Sequence, residues 1–221
     1  MAKIKVLLFS GGEIHNWKEV GDAVEPILCA DDRFEVTRVD EDLSVFEPPK
    51  LDPYDVLVFF YTVGSISEAR KNGLLNWVAS GKGYVGIHSA ADSFRGCDEY
   101  EAMVGGHFVT HPRYRQYQVM ITDPEHPAVK AVAESLKAEG GVPEFFTTDE
   151  MYVTSWDSRV KVLAKALWGK CTVPVVWVKR WGKGRVYWLA MGHDGAACRQ
   201  PMFKPLLTEG ILWAANPESE V

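Results

Sequence analysis

The first 88 residues alternate apolar runs typical of buried strands with patterns typical of amphipathic helices. The runs at 4–10, 34–40, 54–62 and 83–88 are rich in Val, Ile, Leu and aromatic side chains, which predicts strands. Apolar side chains recur at helical spacing between the first and second strands, and again between the third and fourth. Strands joined by helices at this spacing pair in parallel through right-handed crossovers. We therefore predict an α/β fold built on a parallel sheet.

The two helices of this half begin with side chains that can cap a helix. Asn16, with Glu19 three residues later, begins the first helix. Ser65, with Glu68 three residues later, forms the same pattern before the second helix, which we expect to end at Gly81.

The remainder of the chain is less regular. Residues 89–116 contain several Gly and Pro residues and predict a short helix followed by a long loop. The turn at 181–184 predicts a β-hairpin in which Gly184 supplies the positive φ. Further strands are predicted at 117–121, 144–154, 160–167, 172–180 and 185–191, and helices at 126–136 and 199–215. No linker or repeat divides the sequence, so we expect one domain over residues 1–221.

Composition excludes several classes of partner. The net charge is −6 over 221 residues, so no basic surface indicates nucleic acid or an anionic membrane. No apolar segment approaches the ~18 residues of a membrane span. The four cysteines are far apart in sequence, which favours buried, reduced thiols over disulfides or a zinc ribbon. We therefore expect a cytoplasmic protein that binds a small molecule.

Histidines follow two of the predicted strands, where α/β sheets bind ligands. His88 ends the fourth strand, and His193 follows the strand at 185–191. Two imidazoles at one edge can share a metal ion or act as acid and base near neutral pH. The alternative is that each caps backbone groups. Asp194 can orient the neighbouring ring or bind a ligand, and His15, beside the end of the first strand, is expected to line the same pocket.

An acidic segment provides a candidate carboxylate. In the predicted strand at 144–154, alternation places Glu150 and Tyr152 on one face and Asp149 on the other. Glu150 with two histidines would complete a metal site of two imidazoles and one carboxylate, such as a zinc site, or would act as general base. Exposed surface acidity is the alternative.

His107 and His111 have the i, i+4 spacing of metal ligands on a helix. Glycines precede them, Pro112 follows, and the pattern lacks the Glu of zinc-binding helices. We therefore predict a loop that carries both histidines and brings one of them to the substrate, and a solvated loop is the alternative.

The turn from Gly86 to Ala90 resembles the elbow that presents a catalytic nucleophile, but a histidine stands at its tip. Ser89 lies one residue beyond the tip, and Cys97 lies well past it. Acyl-enzyme chemistry is therefore disfavoured. The glycine-containing loops also lack the spacing of nucleotide-phosphate motifs.

Several segments together resemble the trehalose-utilisation (ThuA-like) family. They run in family order from about residue 81 to 215: GKGYVGIHSAADSF, YEAMVGGHFVTHP, EHPAV, TTDEMY, PVVWVKRWGKGRVYWLAMGHD and FKPLLTEGILWAA. The resemblance implies a flavodoxin-like, doubly wound sheet with helices on both faces, within the class I glutamine amidotransferase-like superfamily. It implies that His88 stands in place of the catalytic cysteine and that His193 matches the triad histidine, so amidotransferase activity should be absent. Glu150 and Tyr152 match the family's D-E-x-Y segment.

Three functions are compatible with these residues. The first is an enzyme of trehalose or keto-sugar catabolism in which His88, Glu150 and His193 bind a divalent metal or transfer protons. The second is a sugar-binding or regulatory domain that has lost the ancestral nucleophile, and the third is hydrolysis by zinc-bound water. Substrate contacts are expected from His15, His107, His111, Tyr152 and Asp194. Trp17 or Trp156 can stack on a sugar, and a homo-oligomer is compatible with the aromatic content.

Overall fold

The computed structural model describes residues 2–136 and 141–220. Within these ranges, eleven strands and six α-helices follow one another in chain order. They are β1 (Ile4–Ser10), α1 (Trp17–Cys29), β2 (Phe34–Asp40), β3 (Val56–Phe60), α2 (Glu68–Ala79), β4 (Gly83–Ile87), α3 (Asp98–Val104), β5 (Gly106–Thr110), β6 (Arg115–Ile121), α4 (Pro127–Leu136), β7 (Glu144–Asp149), β8 (Val153–Trp156), β9 (Lys161–Trp168), β10 (Cys171–Trp181), β11 (Gly184–Leu189), α5 (Gly195–Cys198) and α6 (Phe203–Ala215). Two 3₁₀-helices, Leu43–Phe46 and His88–Asp92, lie between them.

Nine of these strands form one sheet in the order β2-β1-β3-β4-β11-β10-β9-β6-β7. The first five are parallel, and their order, with β11 as the fifth strand, is that of flavodoxin-like sheets. The other four strands extend the sheet in antiparallel pairs. The predicted fold class is confirmed, and the late antiparallel strands account for the irregular pattern of the second half.

Helices cover both faces of the parallel strands. Gly83 of β4 pairs with Arg185 of β11, and both face α6, where the Arg185 guanidinium donates to the Ala214 carbonyl at 2.7 Å. The residue before Arg185, Gly184, points to the opposite face and lies against the Val78 carbonyl of α2. The central strands are therefore enclosed, and β3 and β4 are buried at every position.

The helix beginnings differ in how well the sequence predicts them. Asn16 caps α1 as expected, because its side chain accepts a hydrogen bond from the Glu19 backbone at 3.3 Å. The cap predicted at Ser65 is wrong. The second helix begins at Glu68 after Ser67, whose side chain makes no capping bond.

Several predictions for the second half need correction. The short helix predicted within 89–116 is present as α3, but the long loop predicted after it contains strand β5. The strand predicted at 144–154 is two strands, because β7 joins the main sheet while β8 pairs with β5 in a separate two-stranded sheet. The hairpin between β10 and β11 is confirmed, but Gly182, with a φ of 58°, supplies the left-handed residue instead of Gly184.

Two further predictions concern the state of the cysteines and membrane-spanning segments. All four cysteines are free, but only Cys198 is buried, so the predicted burial is wrong for the others. Across residues 2–136 and 141–220, no helix combines the length and the apolar character needed to cross a bilayer.

Candidate functional site

Four ionisable side chains converge at the carboxyl edge of the sheet. They follow four different strands: His15 after β1, His88 after β4, Glu150 after β7 and His193 after β11. One ligand atom of each lies within 4.8 Å of those of the other three. The sequence proposed His88, Glu150 and His193 as one set, and the structure brings these three together and adds His15.

His88 occupies the tip of the sharp turn after β4. Its φ of 44° is left-handed, a conformation that costs energy in a residue with a side chain. Trp188 Nε1 donates to the His88 carbonyl at 3.2 Å, and His88 Nδ1 lies 2.6 Å from the Ala190 carbonyl oxygen. The elbow expected from the sequence is therefore present, and it holds a fully buried imidazole.

The Ala190 contact fixes the tautomer of His88. A carbonyl oxygen can only accept, so Nδ1 carries the proton and donates. In the neutral ring the lone pair is then on Nε2, which lies 3.2 Å from His193 Nδ1 and 3.5 Å from Glu150 Oε2. The buried ring therefore presents a lone pair to the centre of the cluster.

Glu150 and His193 form the ionic part of the cluster, with Glu150 Oε2 3.1 Å from His193 Nδ1. Burial opposes the charge on Glu150, but its contacts with the His193 and His88 imidazoles outweigh the burial and hold the pKa of the carboxyl well below its ordinary value. Burial also opposes the charge on His193, but the bond and the charge of Glu150 outweigh it and raise the pKa of the imidazole. The carboxylate is thus ionised and favours positive charge beside it.

His15 completes the cluster as a neutral ring. Its Nδ1 lies 2.7 Å from the Thr62 hydroxyl. Burial, and then the neighbouring His88 and His193, lower the pKa of His15 to about 3. A neutral imidazole is the form that binds a metal ion.

Asp149 positions the loops that carry two members of the cluster. Its carboxylate is fully buried and accepts backbone N–H bonds from Gly192 at 2.7 Å, Glu150 at 2.7 Å and His193 at 3.3 Å. Burial raises the pKa of this carboxyl. The sequence placed Asp149 on the face opposite Glu150 without giving it a role. Its position directly before the candidate ligand Glu150 is the feature of the sequence that could have indicated a role.

A cavity of about 210 Å³ opens onto the cluster. It is lined by Ile14, His15, Asp92, Arg95, Phe108, His111, Glu150, Tyr152 and His193. His111 Nδ1 lies 2.9 Å from Glu150 Oε1, and the Tyr152 ring packs on His88 with centroids 3.8 Å apart. His111 and Tyr152 therefore lie with the cluster in one pocket.

Other candidate residues lie outside this cavity. His107 is on β5, contacts Glu101 at 3.1 Å and lines a neighbouring cavity. Asp194 caps α5 by accepting from the Ala197 backbone at 2.7 Å. Trp17 packs against the core, and Trp156 is exposed on β8. The loop predicted for the two histidines is wrong at His107, because strand pairing with β8 orders it.

Sequence reasoning missed an ion pair in the wall of the cavity. Arg95 Nε and Nη2 each donate to the Asp92 carboxylate at 2.7 Å in a forked pair. Both residues lie shortly after the elbow in the chain. This position is the feature of the sequence that could have indicated their place in the cavity wall.

Comparison with known proteins gives the family and fold. The family model ThuA, described as trehalose utilisation, matches residues 5–214. A ThuA-like protein from Parabacteroides merdae aligns with a TM-score of 0.84 at 23% identity, over 100% of this chain and 92% of its own. One from Bacteroides uniformis gives 0.77 at 19%, over 96% and 91%. A cytoplasmic protein from Salmonella typhimurium gives 0.66 at 13%, over 96% and 99%. Comparison with curated proteins gives no match.

Proposed function

Since the chain belongs to the ThuA family of trehalose utilisation, we propose that it is an enzyme acting on a keto-sugar derived from trehalose or a related carbohydrate. A ketone acidifies the neighbouring C–H bond, so the proposed chemistry is proton transfer at that carbon during elimination, hydration or isomerisation. The observation that carries the proposal is the convergence of three imidazoles and one carboxylate within 4.8 Å beside a cavity. The four free cysteines support the cytoplasm as its location.

The cluster fits a divalent metal ion such as zinc. Zinc–nitrogen bonds of about 2.1 Å in a tetrahedral site place ligand atoms about 3.4 Å apart. The separations of His193 Nδ1 from His88 Nε2, 3.2 Å, and from Glu150 Oε2, 3.1 Å, are close to this value. His15 provides the third imidazole.

Contacts behind the rings support the same assignment. The Ala190 carbonyl binds the second nitrogen of His88, and the Thr62 hydroxyl contacts that of His15. Such outer contacts orient histidine ligands in metal sites. When bound, the ion would polarise a substrate carbonyl or hydroxyl oxygen.

His111 is the residue we assign to the proton transfer. Its Nδ1 lies 2.8 Å from the Pro112 carbonyl and 2.9 Å from Glu150 Oε1, and both can only accept. Nδ1 therefore carries the proton, and Nε2 of the neutral ring is free to act as base. The carboxylate stabilises the imidazolium that forms, as in other carboxylate–histidine pairs.

The test is exchange of the proton beside the ketone. Purified protein is incubated with keto-trehalose or keto-glucose in D₂O, and deuterium incorporation is followed by NMR while bound metal is measured by elemental analysis. We expect His111→Ala to slow exchange by about 100-fold or more while retaining metal, because it removes a general base. We expect His88→Ala to lose both metal and exchange.

His126→Asn is the matched control. His126 precedes α4, and its Nδ1 accepts from the Ala128 backbone at 3.2 Å, a cap that Asn can replace. It should retain both properties. Wild-type exchange in the His111 and His88 variants would contradict the proposal. Sugar binding without exchange would point to a binding domain, and release of free sugar without exchange to zinc hydrolysis.

A further inference from the structure

The side chains around the cavity come from separate parts of the fold. His15, His88 and His193 follow strands of the parallel half of the sheet, whereas Glu150 follows β7 at the antiparallel edge. Three strands lie between β7 and β11 in the sheet, and His111 follows β5 of the two-stranded sheet. A displacement of about 1 Å can slow catalysis by about 100-fold. Contacts that join these parts therefore control the geometry of the cluster.

Tyr114 joins these parts through its hydroxyl group. The residue lies three positions after His111 and directly before β6. Its hydroxyl oxygen lies 3.3 Å from the Thr148 carbonyl oxygen of β7 and 3.3 Å from Asp194 Oδ1, between β11 and α5. One hydroxyl group thus contacts both the strand that leads to the cluster carboxylate and the loop after β11.

The Tyr114 hydroxyl is the donor in both contacts. A carbonyl oxygen and a carboxylate can only accept, so the two share its single proton. Burial, and then the charges of Asp194 and Asp149, raise the pKa of Tyr114, so the hydroxyl retains this proton. Asp194 Oδ1 also accepts from the Ala197 backbone at 2.7 Å, which fixes the carboxylate at the beginning of α5. The hydroxyl is therefore bound to an acceptor that is itself held in place.

The ring of Tyr114 contacts His193 directly. The two rings meet in a T-shaped arrangement with centroids 5.8 Å apart, a geometry that aromatic pairs favour. Tyr114 is not among the residues that line the cavity beside the cluster. It therefore acts on the cluster through His193 and the segments that it joins, without contacting a bound molecule.

We infer that Tyr114 is a positioning residue that joins the part of the fold carrying His111 and Glu150 to the loop carrying His193. Its hydroxyl holds the two segments together, and its ring limits the movement of the His193 imidazole. The inference rests on the proposed function only for the role of His111 in proton transfer.

A double-mutant cycle tests this connection. Tyr114→Phe keeps the ring and removes the hydroxyl. Asp194→Ser keeps a side chain that can cap α5, but it is shorter and loses the contact with Tyr114. Tyr54→Phe is the matched control, because Tyr54 is also partly exposed and precedes β3 at the opposite edge of the sheet.

Amide hydrogen exchange, measured by mass spectrometry, follows the two joined segments without any turnover. We expect each single substitution to raise exchange at 111–117 and 192–198 roughly three- to tenfold, the effect of a lost hydrogen bond. The double variant should fall short of the product of the single effects, because both remove the same contact. The parallel strands should exchange as in wild type, and Tyr54→Phe should leave both segments unchanged. A full product, or unchanged exchange in Tyr114→Phe, would overturn the inference.

Turnover distinguishes positioning from structural support alone. The kcat and KM for deuterium incorporation into keto-glucose are measured in the same variants. We expect Tyr114→Phe to lower kcat about tenfold and to leave KM within about twofold, because a misplaced catalytic group slows the reaction. If wild type incorporates no deuterium, the proposed function fails, while hydrogen exchange still decides whether Tyr114 joins the segments. Faster segment exchange with wild-type kcat and KM would overturn the positioning role.

Discussion

Replacing Glu150 with Gln should lower the pKa of His193 by at least about one unit in metal-free protein. Glu150 Oε2 lies 3.1 Å from His193 Nδ1. Two unit charges at that separation attract by about 1.3 kcal/mol even in the dielectric of bulk water, which corresponds to about one pKa unit. Both groups are partly buried, so the effective dielectric is lower and one unit is the minimum. Without Glu150, burial lowers the pKa of the imidazole and is opposed only by the charges of Asp149 and Asp194.

The same pair sets a pH window for stability. The pKa of Glu150 in the fold lies below its ordinary value of 4.5, so its contribution is present above pH 4.5 and is lost as pH falls through the folded value. The pKa of His193 in the fold lies above 6.5, so its contribution is present below pH 6.5 and is lost as pH rises through the folded value. Metal-free wild type should therefore gain most over Glu150→Gln between pH 4.5 and 6.5.

Two measurements on chelator-treated protein check this reasoning. Histidine NMR follows the titration of His193, and urea unfolding across pH follows the difference in stability. Glu101→Gln is the matched control because it disrupts another Glu–His pair, with His107, at the same 3.1 Å separation. It should leave the His193 titration unchanged. A His193 pKa that is unchanged or higher in Glu150→Gln would refute the electrostatic account of the cluster.

Two further substitutions test the scaffold around the site. Asp149→Asn leaves one acceptor oxygen for three backbone N–H groups, so we expect a loss of about 2 kcal/mol in unfolding free energy, measured in urea, and weaker metal binding by calorimetry. Full retention of both would show that Asp149 does not hold the loops. Gly184→Ala places a methyl group against the Val78 carbonyl, so we expect a loss of about 3 kcal/mol, or roughly 6–12 °C in Tm by calorimetry. A Tm within about 2 °C of wild type would contradict the close packing of α2 on β11.

The parallel half of the sheet was predictable because β1, β3 and β4 are long apolar runs buried on both faces and flanked by helical patterns, whereas β2 is a partly exposed edge strand. The order of the antiparallel strands was beyond this reasoning, since it depends on the pairing of β6 with β9, which lie far apart in sequence. The break at Glu150 was missed for a related reason. Residues 144–154 read as one strand, but their two halves find partners in different sheets.

The candidate site was predictable where residue type and strand ends coincide, as at His88 and His193. The role of Asp149 depends on backbone groups brought to it from the loop after β11, and no sequence spacing encodes such a contact. The placement of His107 and His111 in different cavities likewise could not be predicted from their spacing in the sequence. It arises because the pairing of β5 with β8 carries His107 to the adjoining cavity.

Exposure across the cluster increases from one side to the other. The side chain of His88 is 0% exposed, that of Glu150 12%, that of His193 28% and that of His111 42%. Any ion or solvent-borne reagent therefore reaches the cluster from the His111 side and meets His88 last. Diethyl pyrocarbonate should accordingly modify His111 before His193 and spare His88 in folded protein.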